Sequence, residues 1–445
     1  MLELFSSGLI SIWLEMAGIQ VKPTDVLDIL AWQSSPGLVL AADPNPSGAT
    51  IVQQYLKGLQ TLKLVTSEQT QSQGIWLQSG PILMANHQGT TPLPAASLTK
   101  IATSLAALTT LGPNHQFQTL VSATGPLQNG VLQGDLIITG GGDPLFVWEE
   151  AIALGNSLNQ MGIKRVTGKL IINGNFAMNF QRDPQLAGQM LKQAMNSTTW
   201  SRAVSFQHSL MPKGTLKPQV AIAGEVKLGA QDIASLQNQQ QTLLLRHYSL
   251  PLKQIIKEMN VFSNNEMAEM LAEAVGGAQI VQSKAARLAR VPQSEIQLIN
   301  GSGLGQENRI SPRAACAMLM AIQKEALNYQ LTLADLFPTS GFDHRGTMHS
   351  RQLPPATVMK TGTLRDVSAL AGVVPTRDRG LVWFAIINRG YGVPAFRANQ
   401  DRLLQTLVKQ LQIAPGIPAS LTPHTTTSAL PQFGAANRNE MVYGG

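Results

Sequence analysis

Two runs rich in Val, Ile and aromatic residues, 367–376 and 381–390, are joined by Arg377-Asp378-Arg379-Gly380. β-Branched and aromatic side chains suit a pleated, half-buried surface, and a short polar link ending in glycine signals a hairpin. The other clear strand candidates lie near the opposite end of the chain. Residues 74–84 read Gly-Ile-Trp-Leu-Gln-Ser-Gly-Pro-Ile-Leu-Met, two short strands broken at Ser79-Gly80-Pro81. Strands from both ends must then share one antiparallel sheet, which makes the domain discontinuous and of the α+β class.

The intervening sequence supplies helices and an insertion. A helix over 97–111 carries Ile101, Leu105 and Leu108 on one face and ends at Gly112-Pro113. Residues 131–240 contain strand pieces at 135–139 and 169–172, a helix near 148–161 and a Gln-rich stretch near 237–241, enough for a separate small domain. Helical patterning resumes over 252–274, and an amphipathic helix spans about 396–411. The expected organisation is an N-terminal segment, 1–45, a main domain from 46–130 and 241–412, an inserted domain, 131–240, and a disordered tail rich in Pro and Thr, 413–445.

Composition excludes several classes. Of 445 residues 44% are apolar and only 13% charged, so a sizeable core is available and a disordered chain is excluded. The net charge of +7 is spread without a dense basic run, which gives no support to nucleic-acid binding. No apolar run has the length of a membrane-spanning helix. Residues 4–14 resemble the apolar stretch of a secretion signal, but Glu3 and Glu15 flank it and the first basic residue is Lys22. Residues 38–42 resemble a cleavage region set too far from the start, so export stays open. The single cysteine, Cys316, lies in an apolar helical run and reads as a core residue. His344 and His349 match no zinc spacing, and neither a Gly-x-Ser-x-Gly elbow nor a phosphate-binding loop is present, so no metal or other cofactor is expected.

Three short elements carry chemistry. In Ser97-Leu98-Thr99-Lys100 a spacing of three at a helix start puts both side chains on one face. A serine hydroxyl needs a base to become a nucleophile, and a lysine serves only when burial or a nearby positive charge keeps it neutral. Ser263-Asn264-Asn265 precedes a helix; it reads either as a cap or as a polar pair that passes a proton and holds an amide. Lys360-Thr361-Gly362, followed by Thr363, precedes the C-terminal strands. Glycine lets a substrate lie against a strand edge, while Lys and Thr offer a charge and a hydroxyl to a terminal carboxylate. Each element alone is as well explained by an ordinary helix, cap or loop.

The order Ser-x-x-Lys, Ser-x-Asn, Lys-Thr-Gly is the signature of acyl-serine enzymes of the penicillin-binding and β-lactamase type. The chain resembles the D-alanyl-D-alanine carboxypeptidase/endopeptidase family of low-molecular-mass, class C penicillin-binding proteins. Pro94-Ala95-Ala96 before Ser97, Gly140-Gly141-Gly142-Asp143-Pro144, Asn300-Gly301-Ser302-Gly303-Leu304 and Asn308-Arg309-Ile310-Ser311-Pro312 extend the resemblance over about 70–412. The family usually has Asp where Asn300 stands. The stretch between Ser97 and Ser263 is shorter than in members with two inserted modules, which implies one.

The resemblance implies a transpeptidase-like domain, an antiparallel sheet flanked by helices, with one inserted α/β domain. It implies that Ser97 attacks the bond between the terminal D-alanines of a peptidoglycan stem peptide, with Lys100 as base and Ser263 passing a proton to the leaving amine. Asn265 orients the substrate amide, Lys360 and Thr361 hold the carboxylate beside Gly362, and the N–H groups of Ser97 and Thr363 form the oxyanion hole. β-Lactams are expected to acylate Ser97, and the substrate implies a periplasmic or envelope location. Two other readings share these residues: a β-lactamase of the same fold, and a non-catalytic cell-wall-binding relative.

Overall fold

The computed structural model describes residues 41–229, 241–424 and 432–442. The signal-like stretch 4–14, residues 38–40, most of the Gln-rich segment and part of the tail lie outside the described residues. The described residues form two compact units, one from 41–109, 260–263 and 276–424, the other from 110–229, 241–259, 264–275 and 432–442.

The first unit is built on a six-stranded sheet. In spatial order its strands are Ala41–Ala42, Ile82–His87, Gly74–Ser79, Gly380–Arg389, Val367–Thr376 and Val358–Leu364. Ala385 is paired with both Trp76 and Ala371, and Ala371 with Lys360, so the C-terminal hairpin joins the N-terminal strands as the sequence predicts. All neighbours are antiparallel except the short edge strand Ala41–Ala42. Every residue of Val367–Thr376 is buried, because side chains alternate between two covered faces. Leu370, Val374, Val382, Phe384 and Ile386 share a core with Ile51, Tyr55 and Leu59 of helix Ser47–Thr61 and with Leu404, Leu407 and Val408 of helix Val393–Leu411. The alternate positions Ala369, Ala371, Val373 and Ala385, buried as well, turn to the opposite face. Helix Pro312–Leu327 also packs on the sheet, and its start is set by Pro312 in the first turn and by Ser311, whose side chain accepts from Ala314 N. Cys316 is fully buried in this helix, and burial raises its thiol well above the ordinary value, as suits a core residue.

The second unit has its own six-stranded sheet, ordered Val226–Leu228, Leu170–Asn175, Leu136–Gly141, Gln118–Ala123, Thr242–Tyr248 and Asn439–Met441. The first three strands run parallel and the others antiparallel to their neighbours. Two boundaries drawn from sequence are corrected here. The expected insertion, 131–240, cuts between strands Gln118–Ala123 and Leu136–Gly141, which are hydrogen-bonded with Val121 opposite Ile138, and it omits Thr242–Tyr248. Interior strands need partners for their backbone groups, so these strands belong to one unit. The expected disordered tail, 413–445, contains strand Asn439–Met441, with Glu440 opposite Arg246. Arg438 beside it pairs with buried Glu150. Upstream, Leu421 is fully buried and His424 N donates to Asp335 Oδ1 at 2.8 Å. Composition missed these anchors because each is only a few residues long in a Pro/Thr-rich background.

Candidate active site

The chain approaches Ser97 through strand Leu93–Pro94, which pairs with Arg309–Ile310, and Ala95 N donates to Asn308 O at 2.9 Å. Ala96 then takes φ +48°, a left-handed conformation unusual for a residue with a side chain. A short 3-10 turn, Ala96–Leu98, leads into helix Thr99–Leu111. Ser97 is half-buried at this junction, while Lys100, one turn on, is fully buried. Lys100 Nζ lies 3.1 Å from Ser97 Oγ and donates to Ser302 O at 2.8 Å. A hydroxyl so placed can pass its proton to the amine when the amine is neutral.

The Gly301-Ser302-Gly303 segment serves this geometry. Gly303 has φ +85°, and a Cβ there would run into Ala96 O, so only glycine lets the loop close on the backbone before Ser97. Asn300 Oδ1 accepts from Gly303 N at 2.8 Å and Asn300 Nδ2 donates to Leu304 O at 2.7 Å. The second bond needs an amide donor, which an aspartate lacks. Thr103 Oγ1 donates to Gly301 O at 2.7 Å and ties the loop to the helix that carries Lys100.

Ser263 sits just past helix Leu252–Phe262 in a left-handed conformation, φ +55°. Asn260 Nδ2 donates to Ser104 Oγ at 3.0 Å and Leu336 O at 3.1 Å, which holds 260–263 within the first unit. Of the Ser-Asn-Asn run, Asn264 is the helix cap: its Oδ1 accepts from Met267 N at 3.0 Å. Asn265 opens the helix Asn265–Ala274 and belongs to the second unit.

Lys360 is fully buried in strand Val358–Leu364, and its Nζ donates to Ser263 Oγ at 2.9 Å and Thr361 O at 2.8 Å. Burial, and secondarily the positive charge of Lys100, push Lys360 well below the ordinary lysine range. The structure therefore brings Ser97, Lys100, Ser263 and Lys360 together as two serine–lysine pairs. Thr361 is buried beside Lys360, and a Cβ at Gly362 would lie 2.7 Å from Ala95 O, so the glycine allows the strand to pass against the turn that carries Ser97. Thr363 is exposed, and its Oγ1 accepts from Arg397 Nη2 at 2.6 Å. Sequence reasoning missed Arg397 and the Ser302 carbonyl. Arg397 belongs to no motif, and a carbonyl carries no side-chain signal.

The profile of the family described as D-Ala-D-Ala carboxypeptidase 3 (S13) matches residues 76–186 and 177–410. The chain belongs to this family. This S13 chain is accordingly a hydrolase, a serine-type D-Ala-D-Ala carboxypeptidase. It is 24% identical over 410 aligned positions to D-alanyl-D-alanine carboxypeptidase DacB of Haemophilus influenzae, covering 72% of this chain and 85% of the relative. Solved structures share the fold. A penicillin G-acylated predatory endopeptidase of Bdellovibrio bacteriovorus, bound to an immunity protein, superposes with a TM-score of 0.68 at 21% identity, covering 82% of this S13 chain and 97% of that one. Penicillin-binding protein 4 of H. influenzae gives 0.57 at 20% identity, over 78% and 99%. The transpeptidase-like α+β fold follows from these likenesses. No helix among the described residues is long and apolar enough to cross a membrane.

Proposed function

We propose that the protein removes the terminal D-alanine of peptidoglycan stem peptides, and cleaves related cross-links, through an ester on Ser97. The supporting observation is the fully buried Lys100, whose Nζ lies 3.1 Å from Ser97 Oγ. Ser97 Oγ bonds to the carbonyl carbon of the penultimate D-alanine as its proton passes to Lys100 Nζ. The N–H groups of Ser97 and Thr363 hold the oxyanion. The C–N bond then breaks, and the leaving amine takes a proton by way of Ser263 and Lys100. Water hydrolyses the ester and frees Ser97. Lys360 and Thr361 hold the terminal carboxylate; Asn265 is assigned the substrate amide on its motif alone. A β-lactam opens by the same attack, its ring nitrogen taking the proton while the fragment stays attached to Ser97. Such a substrate places the enzyme in the cell envelope, in the periplasm.

The test is intact-protein mass spectrometry after brief exposure to benzylpenicillin, with D-alanine release from a stem pentapeptide measured in parallel. A long-lived adduct mapped to Ser97, absent from Ser97→Ala, together with D-alanine release is expected. Labelling of Ser97→Ala would remove the nucleophile, and rapid consumption of the drug without an adduct would make the protein a β-lactamase.

A further inference from the structure

We propose that Arg397 is a positioning residue that sets the preference for substrates ending in a free carboxylate, acting through Thr363 at the outer end of the Lys360-Thr361-Gly362 strand. This rests on the proposed function and deepens it. All the residues involved belong to the first unit. Arg397 Nη2 donates to Thr363 Oγ1 at 2.6 Å. A hydroxyl carries one proton and two lone pairs, so Thr363, already accepting from Arg397, has its own proton directed to another acceptor. Thr363 is exposed, and an anion at the strand edge is the acceptor that a guanidinium behind the hydroxyl favours.

Among the described residues the charge of Arg397 is not taken up by a carboxylate. Asp401, one helical turn away, receives Arg351 Nε at 2.9 Å and Nη2 at 2.6 Å on Oδ1, and Gln352 N at 2.9 Å on Oδ2. Arg397 makes no ion pair among the described residues. Burial and, after it, the Arg351 guanidinium lower Arg397 from its ordinary value, with Asp401 opposing them, so an incoming anion relieves an existing repulsion. Arg397 also lines a cleft of about 390 Å³ with Gln352, Arg402 and Gln405. Arg402 is turned to Asn399 instead, donating to its Oδ1 at 2.9 Å.

The experiment compares kcat/KM of the wild-type enzyme, Arg397→Gln, Arg397→Lys and Arg402→Gln on an acylated D-Ala-D-Ala peptide and its C-terminal amide. Arg397→Gln is expected to lower the value for the acid about tenfold more than for the amide, the effect of one charge-assisted hydrogen bond, and chiefly through KM. Arg397→Lys should recover part of the difference, and Arg402→Gln should keep the wild-type ratio. An unmoved acid-to-amide ratio in Arg397→Gln, or an equal shift in Arg402→Gln, overturns the role of Arg397. A wild-type enzyme that turns over neither peptide overturns the underlying function instead.

Discussion

Lys360 Nζ donates to Ser263 Oγ at 2.9 Å although the two residues are 97 positions apart in sequence. The bond closes the second serine–lysine pair beside Ser97 and Lys100, and it leaves a buried amine whose pKa is held down by burial and by Lys100. A ligand carboxylate placed there would favour the ammonium form.

Binding of a D-Ala-D-Ala peptide is therefore expected to draw a proton onto Lys360 at pH between its lowered value and the higher value it takes beside the carboxylate. Calorimetry on the Ser97→Ala protein in buffers of different ionisation heat should show proton uptake, and Lys360→Met should abolish it. The same shift acts on stability. Between the lowered and the ordinary lysine value the unfolded chain binds the proton that the folded chain has lost, so stability rises with pH across that window. Denaturation curves of Lys360→Met should lack this slope.

Ser263→Ala removes the acceptor of Lys360 and the proposed proton route to the leaving amine. Labelling by benzylpenicillin is expected to slow by about 10²-fold or more, the usual worth of a positioned proton-transfer group, with the thermal midpoint little changed. An unchanged labelling rate would take Ser263 out of the reaction.

Gly303→Ala sets a Cβ against Ala96 O and strains a left-handed position, so the loop bearing the Ser302 carbonyl must shift. A stability loss of roughly 2–4 kcal/mol is expected, with slower labelling because Lys100 loses its support. Urea melts and labelling time courses on the same samples measure both.

Arg438→Ala strips buried Glu150 of its ion-pair partner and loosens strand Asn439–Met441 in the second unit. Breaking a buried pair on one side costs about 3–5 kcal/mol. Glu150 is already raised, chiefly by burial and against the pull of Arg438, so the variant raises it further. The folded state then holds a proton that the unfolded chain releases, and stability falls as pH rises above the ordinary glutamate range. Thermal midpoints across pH should show a steeper fall in Arg438→Ala than in wild type, and Glu150→Gln in the same background should flatten it.

Local spacing carried the parts of the site that lie within one turn or one strand. Ser97 and Lys100 meet because three positions make nearly one helical turn, whereas Lys360, Thr361 and Gly362, expected only to precede the C-terminal strands, lie within a strand of their own, Val358–Leu364. Gly303 and Gly362 were legible as glycines, but the reason for them, the Ala95 and Ala96 carbonyls, was not. The capping role of Asn264 was visible as a choice among three adjacent polar residues, and the backbone decided which of them took it.

The sequence by itself determined the local elements, the hairpin, the α+β class and the order of the three motifs, because these follow from periodicity, turn chemistry and residue type over a few positions. Tertiary structure alone decided that Ser263 answers Lys360, that Arg397 reaches Thr363, and that residues 439–441 complete the second sheet. Such contacts depend on where distant segments are brought by the packing of the whole chain. A backbone edge or a buried charge accepts whichever partner the topology delivers, and nothing in a local pattern names that partner.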